Sequence, residues 1–358
     1  MPTIVYYVSG HGFGHARRTA QVLRTLASLR PDVDVIVRTS APAWLFDGIE
    51  RTTVSVPAQV FDPGVVERDT LNLDPAASVR RLGAFLQHRV EIVSAEYRLL
   101  RDAGASLVVA DIPFLAADAA ESAGLPSVAV GNFTWDWIYE PFVMPDTRWL
   151  IESIRASYGK VEALLQLPLG HEVAGFRRVI PVPLLASKAR NARAATLARL
   201  GLDPQEFRPR VLIAMRGGLD ERALRHAASR SPGALFLTPQ PIDDPSLNLR
   251  PIDSRLVEFT DLLAACDAVV SKLGYGILSD CIANNVALLF PPRSGFREDE
   301  ISRQVCPRYL RMRELPAADF VAGRWDLHLD ALLGQPPPPE QLATDGDLVI
   351  ARYLADHV

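Results

Sequence analysis

The feature that most restricts the fold is an alternation of short Val- and Ile-rich runs with segments of helical spacing, and it occurs twice along the chain. It begins with "TIVYYV", a glycine-rich turn "SGHGFGHARR" and the helical "TAQVLRTLASL". "VDVIVRT" and "TVSVP" follow, and then a helix predicted to run for about 25 residues from near Asp74, with Asp74-Pro75 as N-cap and first-turn signal. "SLVVAD", a helix through "AADAAESAG" and "PSVAVGNFTW" complete the first series, and "RVLIAM", "GALFLT", "LNLRPI", "DAVVSK" and "VALLFPP" carry the second. Such strands between helices imply parallel sheets covered on both faces. The expected class is α/β, with two Rossmann-like doubly wound domains facing a cleft. The boundaries read as an N-terminal domain over 1–186, a C-terminal domain over 187–335, and a terminal segment over 336–358 whose helix packs back on the first domain.

Composition excludes several classes. With 358 residues the chain exceeds one ordinary core, and 48% hydrophobic with 22% charged residues marks a globular protein. A net charge of −4 without a cationic run argues against a nucleic-acid groove. The three cysteines (Cys266, Cys281, Cys306) form no C-x-x-C pair. No apolar run is long enough to span a bilayer, and the chain opens on a strand, so a cytoplasmic protein is expected.

In open α/β sheets, ligands bind beyond the carboxyl ends of the strands. The first turn reads G-x-G-x-G (Gly10, Gly12, Gly14), not the dinucleotide fingerprint, although Arg38 at the next strand end leaves an NADP reading open. His11 and His15 lack a third partner for zinc, and Asp32 and Asp34 open the second strand, the wrong edge for a metal–diphosphate site, so no metal is expected. Functionally, Gly12 and Gly14 allow close backbone approach and positive φ. His15 stands near a helix N-terminus, where the dipole disfavours imidazolium, as a neutral base requires. Asp111 ends a different strand and either accepts the second N–H of His15 or caps the following helix. Trp135 and Tyr139, four apart, suit either a stacking surface or a helix core.

"GHGFGH", "VVAD", "GNFTWDWIYE" and "DAVVSKLGYGILSDCIANNVALLFPP" resemble the glycosyltransferase-like N-terminal region of plant L-arabinokinases. More broadly they resemble inverting sugar transferases of the GT-B fold, such as the peptidoglycan N-acetylglucosaminyltransferase and plant UDP-sugar glycosyltransferases. The resemblance runs from Thr3 to about Arg303 and implies transfer of a sugar from a nucleotide sugar, UDP-linked, to a small-molecule or glycan hydroxyl acceptor, with no cofactor. It makes His15 the general base and Asp111 its partner. His11, Gly12, Phe13, Gly14, Asn132, Trp135 and Asp136 fall on the acceptor side. Donor contacts fall at Gly217 and Gly218, at Phe259 and Thr260 near the nucleobase, and at the turn and helix Gly274, Tyr275, Gly276, Ser279 and Asp280; Arg216 stands where the arabinokinase region has an aromatic residue and is either a diphosphate contact or a surface arginine. Asp280 is placed on the ribose. Glu298 and Asp299 stand where the family has Asp-Gln or Gln-Gln on the donor sugar, so the sugar, hexosyl or pentosyl, does not carry over. A nucleotide-sugar epimerase or hydrolase of the same fold, and a non-catalytic sugar-nucleotide-binding protein, are the alternatives.

Overall fold

A computed structural model describes residues 1–215, 219–243 and 248–358. It divides into two compact units: Met1–Glu67 with Leu73–Leu185 and Ala343–Val358, and Arg68–Asn72 with Ala186–Leu342.

In the first unit, "TIVYYV" forms β1 (Thr3–Val8), buried along its whole length as a central parallel strand must be. The next strands are β2 (Asp34–Arg38) and β3 (Thr52–Ser55); a small separate ribbon of β4 (Glu67–Asp69) and β5 (Asn72–Leu73) follows, its middle residues Arg68–Asn72 counted with the second unit. β6 (Leu107–Asp111), β7 (Ser127–Gly131), β8 (Ala163–Gln166) and β9 (Val179–Pro181) complete the sheet. Its order is β3-β2-β1-β6-β7-β8-β9, parallel throughout. β8 and β9 escaped the sequence reading; β9 ends in Pro181, a residue tolerated at a sheet edge. The helices are α1 (Gly14–Leu29), α2 (Pro75–Gln87), α3 (Arg89–Asp102), α4 (Leu115–Ala123), α5 (Trp135–Tyr139) and α6 (Trp149–Tyr158).

The helix expected from Asp74 is two helices. Asp74 does cap α2, accepting from the Ala77 N–H at 2.9 Å. At His88, however, the backbone turns to φ −94°, ψ 9° and its N–H bonds three residues back, to Phe85 O at 3.1 Å. Each side of this break buries its own apolar face, Leu82 and Leu86 before it and Ile92 after it.

The second unit repeats the plan. β10 (Arg210–Ile213), β11 (Leu235–Thr238), β12 (Leu249–Pro251), β13 (Ala268–Val270), β14 (Ala287–Phe290) and β15 (Met312–Glu314) pair in the order β12-β11-β10-β13-β14-β15, again all parallel. Around them lie α7 (Arg193–Arg199), α8 (Glu221–Arg230), α9 (Phe259–Ala264), α10 (Tyr275–Asn284), α11 (Arg297–Val305), α12 (Ala317–Ala322) and α13 (Asp326–Leu333). Val211, Phe236, Val270, Leu289 and Trp325 centre its core.

The segment 336–358 does not behave as one piece. The proline-rich stretch stays with the second unit, where Arg308 grips both Glu340 oxygens at 2.8 and 2.9 Å. From Ala343 the chain belongs to the first unit and forms α14 (Gly346–Asp356), where Thr25 Oγ1 on α1 donates to Asp347 at 2.6 Å. Among the described residues no helix is long and apolar enough to cross a membrane.

Both sheets have a switch point, where strand order reverses: between β1 and β6 in one, between β10 and β13 in the other. Crevices at such points are where doubly wound sheets hold ligands.

Candidate active site

At the first switch point the chain leaves β1 through Ser9, whose N–H bonds Asp111 O at 2.8 Å and so ties the two strand ends together. The three glycines of the turn have different reasons to be there. A Cβ on Gly10 would collide with Ser40 Oγ. Gly12 sits at φ 78°, the region that favours glycine. Gly14 departs from expectation: it is the first residue of α1, its φ is not positive, and open space lies where a Cβ would point.

His15 follows as the second residue of α1, its side chain 14% exposed. Its Nδ1 lies 2.8 Å from Asp111 Oδ1 at the end of β6. The alternative, Asp111 capping α4, does not occur; no side chain caps that helix. Arg18, one helical turn on, was missed by the sequence reading because it looks like any helical cation. It is buried, donates Nε to Asp111 Oδ2 at 2.6 Å and Nη2 to Oδ1, and donates Nη1 to Asn132 Oδ1 at 3.0 Å. Thr19 Oγ1 reaches the same carboxylate at 3.3 Å. Burial alone would raise the Asp111 pKa, but the Arg18 guanidinium and His15 bring it down to about 2. An ionised carboxylate can accept an Nδ1–H from His15, the tautomer whose Nε2 is free to accept a proton; Arg18 Nη2 also lies 3.1 Å from Nδ1.

A second histidine–carboxylate pair stands beside the first. His11 Nε2 bonds the buried carboxylate of Asp62, whose other oxygen accepts from Ser9 Oγ at 2.7 Å. Asp62 lies in the loop after β3, in a stretch with no periodicity to mark it. The loop is fixed: Gly64, at φ 56°, has no room for a Cβ against the His11 ring, and Tyr139 donates its hydroxyl to Gly64 O. Burial lowers the His11 pKa, yet the Asp62 charge and hydrogen bonds outweigh it and the net shift is upward.

Rings wall this region. Phe133 stands edge-on to His15 at 5.8 Å and to Trp135 at 5.2 Å, and Trp135 edge-on to His11 at 6.0 Å. Trp135 is a buried residue of α5, as the core alternative had it, but its ring belongs to this wall. Phe13 is half-exposed and meets the exposed Trp44 at 5.7 Å. Asn132 supports Arg18 from a buried position. Asp136 is not brought to the site: Arg155 on α6 holds its carboxylate at 2.9 Å, because the α5–α6 contact needs that charge compensated.

The second unit offers a different kind of site. Arg216, Gly217 and Gly218 lie outside the described residues. At the ends of β10 and β11 is a cavity of about 450 Å³ lined by Ile213, Met215, Thr238, Pro239 and Gln240. After β13, Ser271 Oγ bonds Ala214 O at 2.9 Å, joining the two strands at the switch point. Gly274 then opens α10 with no side-chain cap, so the first-turn N–H groups at Tyr275 and Gly276 have the polarity that suits an anion. Lys272, not anticipated from the sequence, lies in this turn, and its charge reaches Asp299.

Other expected donor residues are already engaged. Ser279 is buried and donates to Gly276 O at 3.0 Å. Asp280 Oδ1 accepts the Ser187 N–H at 2.9 Å, and Asn284 one turn later accepts the Ala189 N–H at the same distance. Thr260 is buried and Phe259 half-buried in α9, whose Asp261 takes the Arg190 and Asn191 N–H groups at 2.7 and 3.1 Å. Thus 187–191 is fastened to α9 and α10 by carboxylate and amide side chains. Asp299 is buried in an ion pair with Arg293, and burial still raises its pKa; that charge faces Arg293 because an unpaired buried carboxylate is costly. Glu298, half-buried beside it, heads α11.

No protein-family model matches the chain. It is 31% identical over 351 residues to L-arabinokinase of Arabidopsis thaliana, a match covering 96% of this chain and 33% of that protein. The chain therefore spans about a third of the length of the curated relative it matches. Among solved structures it is similar to CalG4, the calicheamicin glycosyltransferase (15% identity, TM-score 0.63, 99% of this chain and 95% of that one). The spinosyn forosaminyltransferase SpnP gives 16% and 0.63, again over 99% and 95%. Phytolacca americana UGT2, complexed with UDP-2-fluoro-glucose and pterostilbene, gives 14% and 0.61 over 99% and 94%. The chain is thus a homologue of one third of L-arabinokinase and has the two-domain GT-B fold of these glycosyltransferases.

Proposed function

We propose that this chain transfers a hexosyl or pentosyl group from a nucleotide sugar to a hydroxyl acceptor, with inversion and without a metal ion. The carrying observation is the 2.8 Å contact of His15 Nδ1 with Asp111 Oδ1 at the first switch point. His15 Nε2 takes the acceptor hydroxyl proton, the oxygen attacks the anomeric carbon, and the bond to the diphosphate oxygen breaks. Arg18 keeps Asp111 ionised and in place, which fixes the tautomer of His15. The departing diphosphate meets Lys272 and the N–H groups that open α10. The UDP sugar held by the Phytolacca relative supports a UDP-linked donor.

A thermal-shift screen of nucleotide sugars tests the donor, since ligand near 100 Kd stabilises by about 2.7 kcal/mol. Proton NMR of the product anomer then tests inversion. The reading fails if no nucleotide sugar stabilises the chain, and its stereochemistry fails if configuration is retained.

A further inference from the structure

The two histidine–carboxylate pairs of the first unit differ in one respect, and it bears on the acceptor. Asp111 is held by Arg18 as well as by His15, whereas the side-chain hydrogen bonds to Asp62 among the described residues come from the Ser9 hydroxyl and His11. The oxygens of the wall are all engaged: both of Asp62, both of Asp111, and that of Asn132. What remains beside the base are donors. His11 spends Nε2 on Asp62, which leaves Nδ1 as its second ring nitrogen on a side chain 33% exposed, and the buried Trp135 Nε1–H has no acceptor among the described residues. Arg81 adds a positive charge within reach of His11. A group that accepts hydrogen bonds, and carries negative charge, matches such a set.

We propose that His11 is an acceptor-recognition residue, and that its Nδ1–H binds an anionic oxygen, a carboxylate or phosphate, carried by the acceptor whose hydroxyl faces His15. This rests on the reading of the first unit as the acceptor side. The charged and titratable groups around His11 are Asp62, which holds its proton, Arg81, which opposes it, and Tyr139, whose phenol burial keeps neutral; His15 acts on Asp62. The Asp62 carboxylate outweighs burial and favours the imidazolium, the form that carries an Nδ1–H while Nε2 stays on Asp62, and that form is lost as pH rises.

The test uses the full chain labelled with [13Cε1]-histidine and titrated with sulfate, whose charge is constant over the range. The expected result is a saturable shift of the His11 resonance at pH 6 that is lost by pH 9. Assignment comes from His11→Gln, in which the shifting signal is missing. Asp62→Asn should abolish the response; if that variant does not fold, Arg81→Gln should weaken sulfate binding several-fold. Acetate and methyl phosphate, run in parallel, separate carboxylate from phosphate recognition. No saturable shift with any of the three anions, or equal shifts at pH 6 and pH 9, overturns the proposal. Sulfate binding does not involve a nucleotide sugar, so failure here leaves glycosyl transfer standing, and failure of the donor screen leaves this result standing.

Discussion

The two units share a strand order but fill their switch points with opposite chemistry. In the first, side chains converge: a histidine, a carboxylate and an arginine, all drawn from different positions on α1 and β6. In the second, the turn after β13 offers main-chain N–H groups at an uncapped helix, one lysine, and glycines at 274 and 276 with open space where a Cβ would point. The first arrangement suits moving a proton, the second holding an anion. One topology therefore carries two kinds of switch point, and the loop residues make the difference.

Breaking the charge balance of the first switch point should have the largest effect. Arg18→Met leaves Asp111 buried without its main partner and should cost roughly 3–5 kcal/mol of stability, read by denaturant unfolding. The pH dependence follows from the Asp111 pKa, held at about 2 against an ordinary 3.8. A depressed carboxylate contributes stability above about pH 4 and loses it as pH falls through about 2. In Arg18→Met the decline should begin at higher pH. An unchanged acid limb would show that Arg18 does not keep Asp111 ionised.

The matching change in the second unit is Lys272→Met. If this turn holds the diphosphate, nucleotide-sugar binding should weaken by about 1.5–3 kcal/mol in calorimetry, the range for a charge-assisted contact. Stability should change little. Equal donor affinity in both proteins would leave the turn without its proposed role.

The glycines of the first turn sharpen the comparison further. Gly10→Ala forces a Cβ onto Ser40 and should destabilise by about 1–3 kcal/mol, with Ser40→Gly restoring most of it. Gly14→Ala meets only open space and should leave stability within about 0.5 kcal/mol. Any loss of turnover in Gly14→Ala then reports on a ligand, not on folding.

A small effect is also expected at Asp280. Its carboxylate already accepts the Ser187 N–H, so Asp280→Asn, which keeps an acceptor oxygen, should lower stability by about 1 kcal/mol or less. If the carboxylate also holds the ribose, affinity for a ribose donor falls more than for its 2′-deoxy analogue. Equal affinities across the four combinations would assign Asp280 to the 187–191 segment alone.

These contrasts follow how the chain can be read. Strand–turn–helix spacing carries "TIVYYV", the turn and α1 on its face, and "VVAD" ends a strand visibly, which sets His15 and Asp111 at two strand ends; position alone left Asp111 between pairing with His15 and capping α4, and the family resemblance supplied the pairing. Asp62 could not be, because it sits in an aperiodic loop and meets His11 only through tertiary folding. Arg18 carries no local sign of burial; its meaning lies in β6 and Asn132, far along the chain. The break at His88 involves no proline or glycine, so periodicity ran straight through it. Asp136 and Asp299 looked like ligand-binding carboxylates because sequence does not show that Arg155 and Arg293 reach them.

The central claim is the division of labour between the switch points, and His15→Ala tests it most directly when kcat and nucleotide-sugar Kd are measured on the same preparation. The account predicts a fall in kcat of roughly 10²–10⁴-fold, the range for a lost general base, with donor Kd within about twofold of wild type. Donor affinity that collapses while kcat stays near wild type would contradict it.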